Sequence, residues 1–181
     1  MTMLPIIIAP DPRLKIVATP VARVDDQVRR LMDDMLETMY AADGIGLAAP
    51  QVGETRRIIV VDVRRDELGD EDGDGEREPI RMANPELIWI SDDDELHEEG
   101  CLSLPQHFAE VRRPEAVRIR YLDENNELKE IEADGILATC VQHEMDHLDG
   151  ILFVDHVSAL KRDMILRKLQ KSKKQTEAKV G

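Results

Sequence analysis

Residues 136–150, Ile-Leu-Ala-Thr-Cys-Val-Gln-His-Glu-Met-Asp-His-Leu-Asp-Gly, decide how the chain is read. Apolar residues from Ile136 to Leu148 recur at helical spacing, and Asp149-Gly150 closes the run with a glycine suited to a helix C-terminus. On that helix His143 and His147 stand four residues apart, so both imidazoles project from one face toward a single point. Glu144 lies about 100° further round the axis. It misses that point and can reach a water beside it. His-Glu-x-x-His on a helix is thus the pattern of a metal site with its general base. Two ordinary histidines on a solvated helix give the same letters, so the rest of the chain must decide between them.

A catalytic site of this kind needs a third protein ligand and one open position. Cys101, Cys140, His97, His107, His156 and many carboxylates are available. Cys140 precedes His143 by three residues on the same helix, where packing as a small apolar side chain is the simpler role. Cys101, between Gly100 and Leu102 in a segment poor in helix signals, can approach the ion from a neighbouring strand. His97 and His156 fall at no recognised ligand position and read as surface or structural histidines.

Further out, Val28, Leu31, Met32, Met35 and Met39 predict an amphipathic helix from Asp25 to about Ala41, capped by Asp25 or Asp26. It runs into Ala42–Gln51, where two glycines and a proline require a shaped loop. Arg57 to Val63 reads as a strand, Ile80 to Ile90 as strands broken at Asn84-Pro85, and Ala116–Leu122 with Leu128–Glu132 as a hairpin. The sheet should be mainly antiparallel. Residues 64–79 hold eight acidic residues, three arginines and three glycines, the composition of a surface loop. A last helix, 158–171 with Ser158 as N-cap, puts Leu160, Met164 and Leu169 near one face, and residues 172–181 are expected to be a disordered basic tail.

The fold class is therefore α+β: antiparallel strands around a central metal-binding helix, with an N-terminal and a C-terminal helix outside, in one domain over residues 1–171. Only 3% of residues are aromatic, so aliphatic side chains must build the core. The net charge of −14 argues against general affinity for nucleic acid. Residues 157–181 nevertheless carry eight Lys or Arg against Asp163 and Glu177, and so could meet an anionic partner. No run approaches the roughly 20 apolar residues that a membrane span requires. A cytoplasmic location is expected, where a disulfide between Cys101 and Cys140 is unnecessary.

Three stretches resemble, in order, the signature motifs of the peptide deformylase family: Gly44-Ile45-Gly46-Leu47-Ala48-Ala49-Pro50-Gln51, Glu99-Gly100-Cys101-Leu102-Ser103 and Gln142-His143-Glu144-Met145-Asp146-His147. Three motifs in sequence are far more specific than His-Glu-x-x-His alone. The resemblance implies removal of the formyl group from the N-terminal formylmethionine of newly made proteins. It also implies metal ligation by Cys101, His143 and His147, proton transfer by Glu144, and donors to the formyl oxygen from the Gln51 side chain and the Leu102 backbone. Ile45, Ile136 and Cys140 match positions of the family's methionine pocket, with core packing as their competing role. Gly44 and Gly46 serve as turn glycines or leave room for substrate backbone.

Glu99 and Arg113 match a pair that braces the metal-bearing segment in the family. His107 and Phe108 stand where many members carry Arg or Tyr, which puts a polar substrate contact in doubt. The acidic stretch within 64–79 looks longer than usual. By resemblance the ion is Fe(II), although Cys and two His suit Zn(II) as well. The implied partners are nascent N-formylmethionyl peptides and, through the basic C-terminal helix, the ribosome; a monomer is expected. The rivals are a zinc endopeptidase, which would need another third ligand, and a deformylase-like binding protein, which would be expected to lose Glu144 or Gln51.

Overall fold

The structure is a computed structural model that describes residues 1–64 and 77–180. Its helices are α1 (Asp26–Ala41), α2 (Gly135–Leu148) and α3 (Ala159–Val180). Its strands are β1 (Gly46–Ala48), β2 (Ile58–Val61), β3 (Ile80–Ile90), β4 (Asp94–Cys101), β5 (Leu104–Pro114), β6 (Ala116–Leu122) and β7 (Leu128–Asp134). Five strands form one antiparallel sheet in the order β1-β2-β3-β6-β7, and β4 pairs with β5 in a separate two-stranded ribbon. The class is α+β, as the sequence requires.

Strand β2 explains the layering. Its four residues Ile-Ile-Val-Val are all buried, the mark of a strand covered on both faces. Ile59 and Val61 join the core beneath α2, with Met82, Ile119 and Val141. Ile58 and Val60 face the other way into the core of α1, with Met32, Met35 and Met39. A third cluster lies under the ribbon, where Leu104 and Val111 meet Phe153, Val154, Ile165 and Leu169.

Asp25 caps α1 by accepting the Val28 N–H at 2.9 Å. Strand β7 passes directly into α2 through Gly135, whose φ of +53° lies in the left-handed region open to glycine at little cost. Nothing but that glycine separates the sheet edge from the helix carrying both histidines.

Three expectations change. β3 is continuous rather than broken at Asn84-Pro85: the register shifts between Ala83 and Glu86, a bulge that absorbs the proline. The Asn84 amide meanwhile pairs with Val21, accepting its N–H and donating to its carbonyl, both at 2.9 Å. Second, α3 runs to Val180 rather than ending at 171, its last third rich in the good helix formers Lys, Gln, Glu and Ala. Third, its buried face is Ile165 and Leu169, whereas Leu160 and Met164 are exposed. The helix packs through little more than those two side chains. Of the acidic stretch 64–79, residues 65–76 lie outside the described residues; at its ends Arg64 and Glu78 form an ion pair of 2.6 Å.

Candidate metal centre and active site

Helix α2 lies inside the molecule, with His143, Glu144 and His147 all at 7% exposure or less. Its histidines converge as their spacing dictates, and Cys101 at the end of β4 meets them. One ligand atom from each of Cys101, His143 and His147 lies within 4.8 Å of the others, and Cys101 Sγ is 3.4 Å from His147 Nε2. Metal–sulfur and metal–nitrogen bonds of about 2.3 and 2.0 Å put tetrahedral ligands about 3.5 Å apart, so the donor set fits a divalent ion. Cys140 contributes no ligand atom to this group. Its sulfur is 3.5 Å from the Ile45 carbonyl and lines a pocket instead.

Each histidine is held differently. His143 Nδ1 is 2.8 Å from Glu99 Oε1; a carboxylate accepts, so Nδ1 carries the hydrogen and Nε2 is left with its lone pair. Phe153 stacks on the same ring, centroids 6.1 Å apart and planes 25° from parallel. His147 Nδ1, by contrast, has no hydrogen-bond partner among the described residues.

Glu99 is itself clamped. Arg113 donates to both its oxygens, Nε at 2.6 Å and Nη2 at 2.9 Å, with both side chains buried. Burial alone would raise the Glu99 carboxyl, but hydrogen bonds from His143 and Arg113 outweigh it and hold the group at about 2. Glu144 is the opposite case: burial is not offset by such donors, and pushes its carboxyl up to about 7. Its Oε2 has no partner among the described residues.

The space Glu144 occupies depends on Gly46. A Cβ there would lie 2.5 Å from Glu144 Oε1 and 2.8 Å from Cys140 Sγ. Gly44 similarly makes room for Leu102, whose Cδ1 would be 2.7 Å from an added Cβ. Gln51, 1% exposed, is oriented by its own turn. Its Oε1 accepts the Ala48 N–H at 2.8 Å, which forces the NH₂ end toward Ser103 Oγ at 3.1 Å and Cys101 Sγ at 3.5 Å.

Two adjoining pockets share Ile45, Gly100, His143 and Glu144. The smaller, of 320 Å³, is completed by Ile136, Cys140, Thr139 and residues of β4. The larger, of 550 Å³, opens between Asp43–Gly46 on one side and Leu102 with the start of β5, Pro105–Phe108, on the other. Phe108, where a cation or tyrosine was the alternative, lays its ring on Gly100 and leaves 59% of itself exposed. Nine of the eleven site residues named from the sequence line these pockets; Gln51 and His147 do not, and sit against Cys101. Sequence reasoning gave no role to Ser103, Asp146 or Thr139; for Ser103 and Asp146, a polar side chain inside a motif was the available signal. His156, read from the sequence as a surface or structural histidine, is exposed, and its Nε2 is 2.7 Å from Asp146 Oδ2.

An antiparallel α+β domain with a buried His-Glu-x-x-His helix and a thiol beside both imidazoles has the donor set that metal-dependent hydrolases use. The comparisons narrow that class. A family model described as polypeptide deformylase matches residues 3–163. The peptide deformylase of Methylocella silvestris is 57% identical over 176 residues, 96% of this chain and 87% of that one. The peptide deformylase of Rhizobium meliloti is 49% identical over 179 residues, 99% of each chain. The crystal structure of peptide deformylase from Ehrlichia chaffeensis in complex with actinonin superposes with a TM-score of 0.88 at 41% identity, covering 95% of this chain and 98% of that one. The chain belongs to the peptide deformylase family and is an enzyme.

Proposed function

We propose that this enzyme removes the formyl group from the N-terminal formylmethionine of newly synthesised proteins, releasing formate, with a divalent ion held by Cys101, His143 and His147. The observation that carries the reading is Glu144: a buried carboxylate, one oxygen unpartnered among the described residues, beside three convergent ligand atoms in a pocket wall. When bound, the ion supplies Lewis acidity, activating water and polarising a carbonyl.

The chain's own groups do the rest. Glu144 takes a proton from the attacking water and delivers it to the leaving amine; a carboxyl lifted toward neutrality suits both duties. The Gln51 NH₂, oriented through Ala48, and the Leu102 N–H donate to the formyl oxygen as it gains charge. Losing one such donor typically costs on the order of 100-fold or more in rate. Ile45, Ile136 and Cys140 receive the methionine side chain in the 320 Å³ pocket. Gly44 and Gly46 leave an edge along which substrate backbone can lie.

Fe(II) is the ion proposed for the cell, on family resemblance; the Cys and two His suit Zn(II) equally. The enzyme works as a cytoplasmic monomer. The exposed Arg167, Lys171 and Lys174 of α3 support an approach to ribosomal RNA, and charge reversal at these three should abolish cosedimentation with ribosomes at low salt. Unchanged cosedimentation would remove α3 from the interface.

The main test uses protein purified without oxygen, its metal content measured, and formyl-Met-Ala-Ser as substrate. The wild type should release formate, with iron as the dominant metal, while Glu144→Ala should lose at least about 100-fold. Stoichiometric zinc with full activity and no iron would overturn the choice of ion. Cleavage of an unformylated peptide without formate release would make the protein an endopeptidase and sink the reading.

A further inference from the structure

We propose that His156 is a positioning residue for the metal site, acting through Asp146 and Arg113 on the Glu99 carboxylate that orients His143. The inference rests on the reading of Cys101, His143 and His147 as metal ligands.

The contacts form an unbroken chain. His143 Nδ1 donates to Glu99 Oε1 at 2.8 Å, and Arg113 grips both Glu99 oxygens with Nε and Nη2. The remaining guanidinium nitrogen, Nη1, donates to Asp146 Oδ2 at 2.9 Å. His156 Nε2 meets the same Oδ2 at 2.7 Å. That oxygen belongs to a carboxylate, so His156 Nε2 must carry a hydrogen to donate, which the Nε2–H tautomer does without a net charge. Exposure rises along the path, from 5–6% at Glu99 and Arg113 to 21% at Asp146 and 35% at His156. The chain thus links a buried imidazole to the surface.

The element that supplies His156 gives an independent reason to assign it this role. It ends the short turn Phe153–His156, whose first residue, Phe153, stacks on the His143 ring. One four-residue turn therefore touches His143 directly through Phe153 and indirectly through His156. The turn is anchored by Asp155, which accepts the Leu152 N–H at 2.9 Å, and by Val154, which is fully buried.

Without the His156 donor, Arg113 is the one side chain among the described residues that still holds the Asp146 carboxylate. Arg113 then loses a fixed third contact, and Glu99 its rigid clamp. A group that directly orients a ligand typically changes metal affinity 10–100-fold when removed. Three links further out, the expected effect is about 3–10-fold. An ordinary exposed ion pair, the competing account, predicts no effect on metal affinity.

The full-length protein is loaded with zinc, and the zinc dissociation constant is measured by competition with a chromogenic chelator. His156→Ala should weaken zinc binding about 3–10-fold. His156→Gln, whose NH₂ can still donate to Asp146, should recover most of it. Arg120→Ala, which removes an exposed pair with Glu130 on β6 and β7, should leave zinc affinity unchanged. The melting temperature of each metal-free variant is recorded, so that a fold defect in His156→Ala is seen directly and the Gln variant then decides. Zinc affinity within twofold of wild type in His156→Ala, or loss in Gln equal to loss in Ala, would overturn the assignment. Failure of the wild type to bind zinc, or retention of full affinity in His147→Ala, would instead overturn the ligand reading on which it rests.

Discussion

Two sets of arginine–carboxylate pairs in this molecule share a chemistry and differ in setting. On the solvent face of β6 and β7, Arg118 pairs with Glu132 and Arg120 with Glu130, their side chains between 42% and 69% exposed. Against α2, Arg113 pairs with Glu99, their side chains 6% and 5% exposed. An exposed pair gives up little hydration and gains little, so its net contribution is about 0–1 kcal/mol. A buried pair has lost its water on both sides, and removing one partner strands the other. The outer pairs decorate a sheet, whereas the inner one accepts the Nδ1 hydrogen of His143 and leaves Nε2 with its lone pair.

The largest test of that difference is Arg113→Ala. It should destabilise the protein by about 3–5 kcal/mol in urea denaturation and weaken metal retention, because Glu99 is left buried and uncompensated. A loss below about 1 kcal/mol would place the inner pair with the outer ones. In the wild type, Glu99 is held at about 2 against an ordinary 4.5, so its stabilisation is present above about pH 4.5 and is lost as pH falls toward 2.

Glu144→Gln sharpens the comparison from the other side, since Glu144 is buried without a clamp. Its raised carboxyl binds a proton in the folded state that the unfolded chain releases. Stability of the metal-free protein therefore falls as pH rises from 4.5 through about 7. Glutamine removes that penalty: the metal-free variant should gain on the order of 1–3 kcal/mol at pH 8 and nothing at pH 4, while losing formate release. Equal stabilities at both pH values would mean that burial is not what raises the group. The smallest effect belongs to Arg120→Ala, at most about 1 kcal/mol and smaller still in high salt.

Much of the fold was legible because apolar spacing dominates it. The stripe Val28 to Met39, the doubly buried Ile58–Val61 and the turn from Asp123 to Glu127 each follow one period or one turn chemistry. The β4–β5 ribbon did not, because its inward positions break the alternation of apolar and polar residues: Glu99 and Arg113 face inward where a strand usually buries aliphatic groups. Those same charged residues reach His143 and Asp146 on α2, so contacts beside the candidate site displaced the usual apolar signal of a strand. Within the site, the two histidines and Glu144 were written in helical spacing. Cys101 was one of several open ligands on residue type alone, and family resemblance singled it out. The contact of His156 was invisible for a plainer reason: Asp146 meets it, and Arg113 meets Asp146, only after α2, the ribbon and the Phe153–His156 turn have packed together.

Cys101 closes β4 in the ribbon, while His143 and His147 lie on a helix that grows from the edge of the larger sheet. An ion shared between them would act as a cross-link between two parts of the chain distant in sequence. The entropy of closing that long loop is lost once, at folding, so the ion's binding energy becomes part of the energy that docks the ribbon. Chelation would then loosen the ribbon before the larger sheet, and hydrogen exchange in β4 and β5 would record the release.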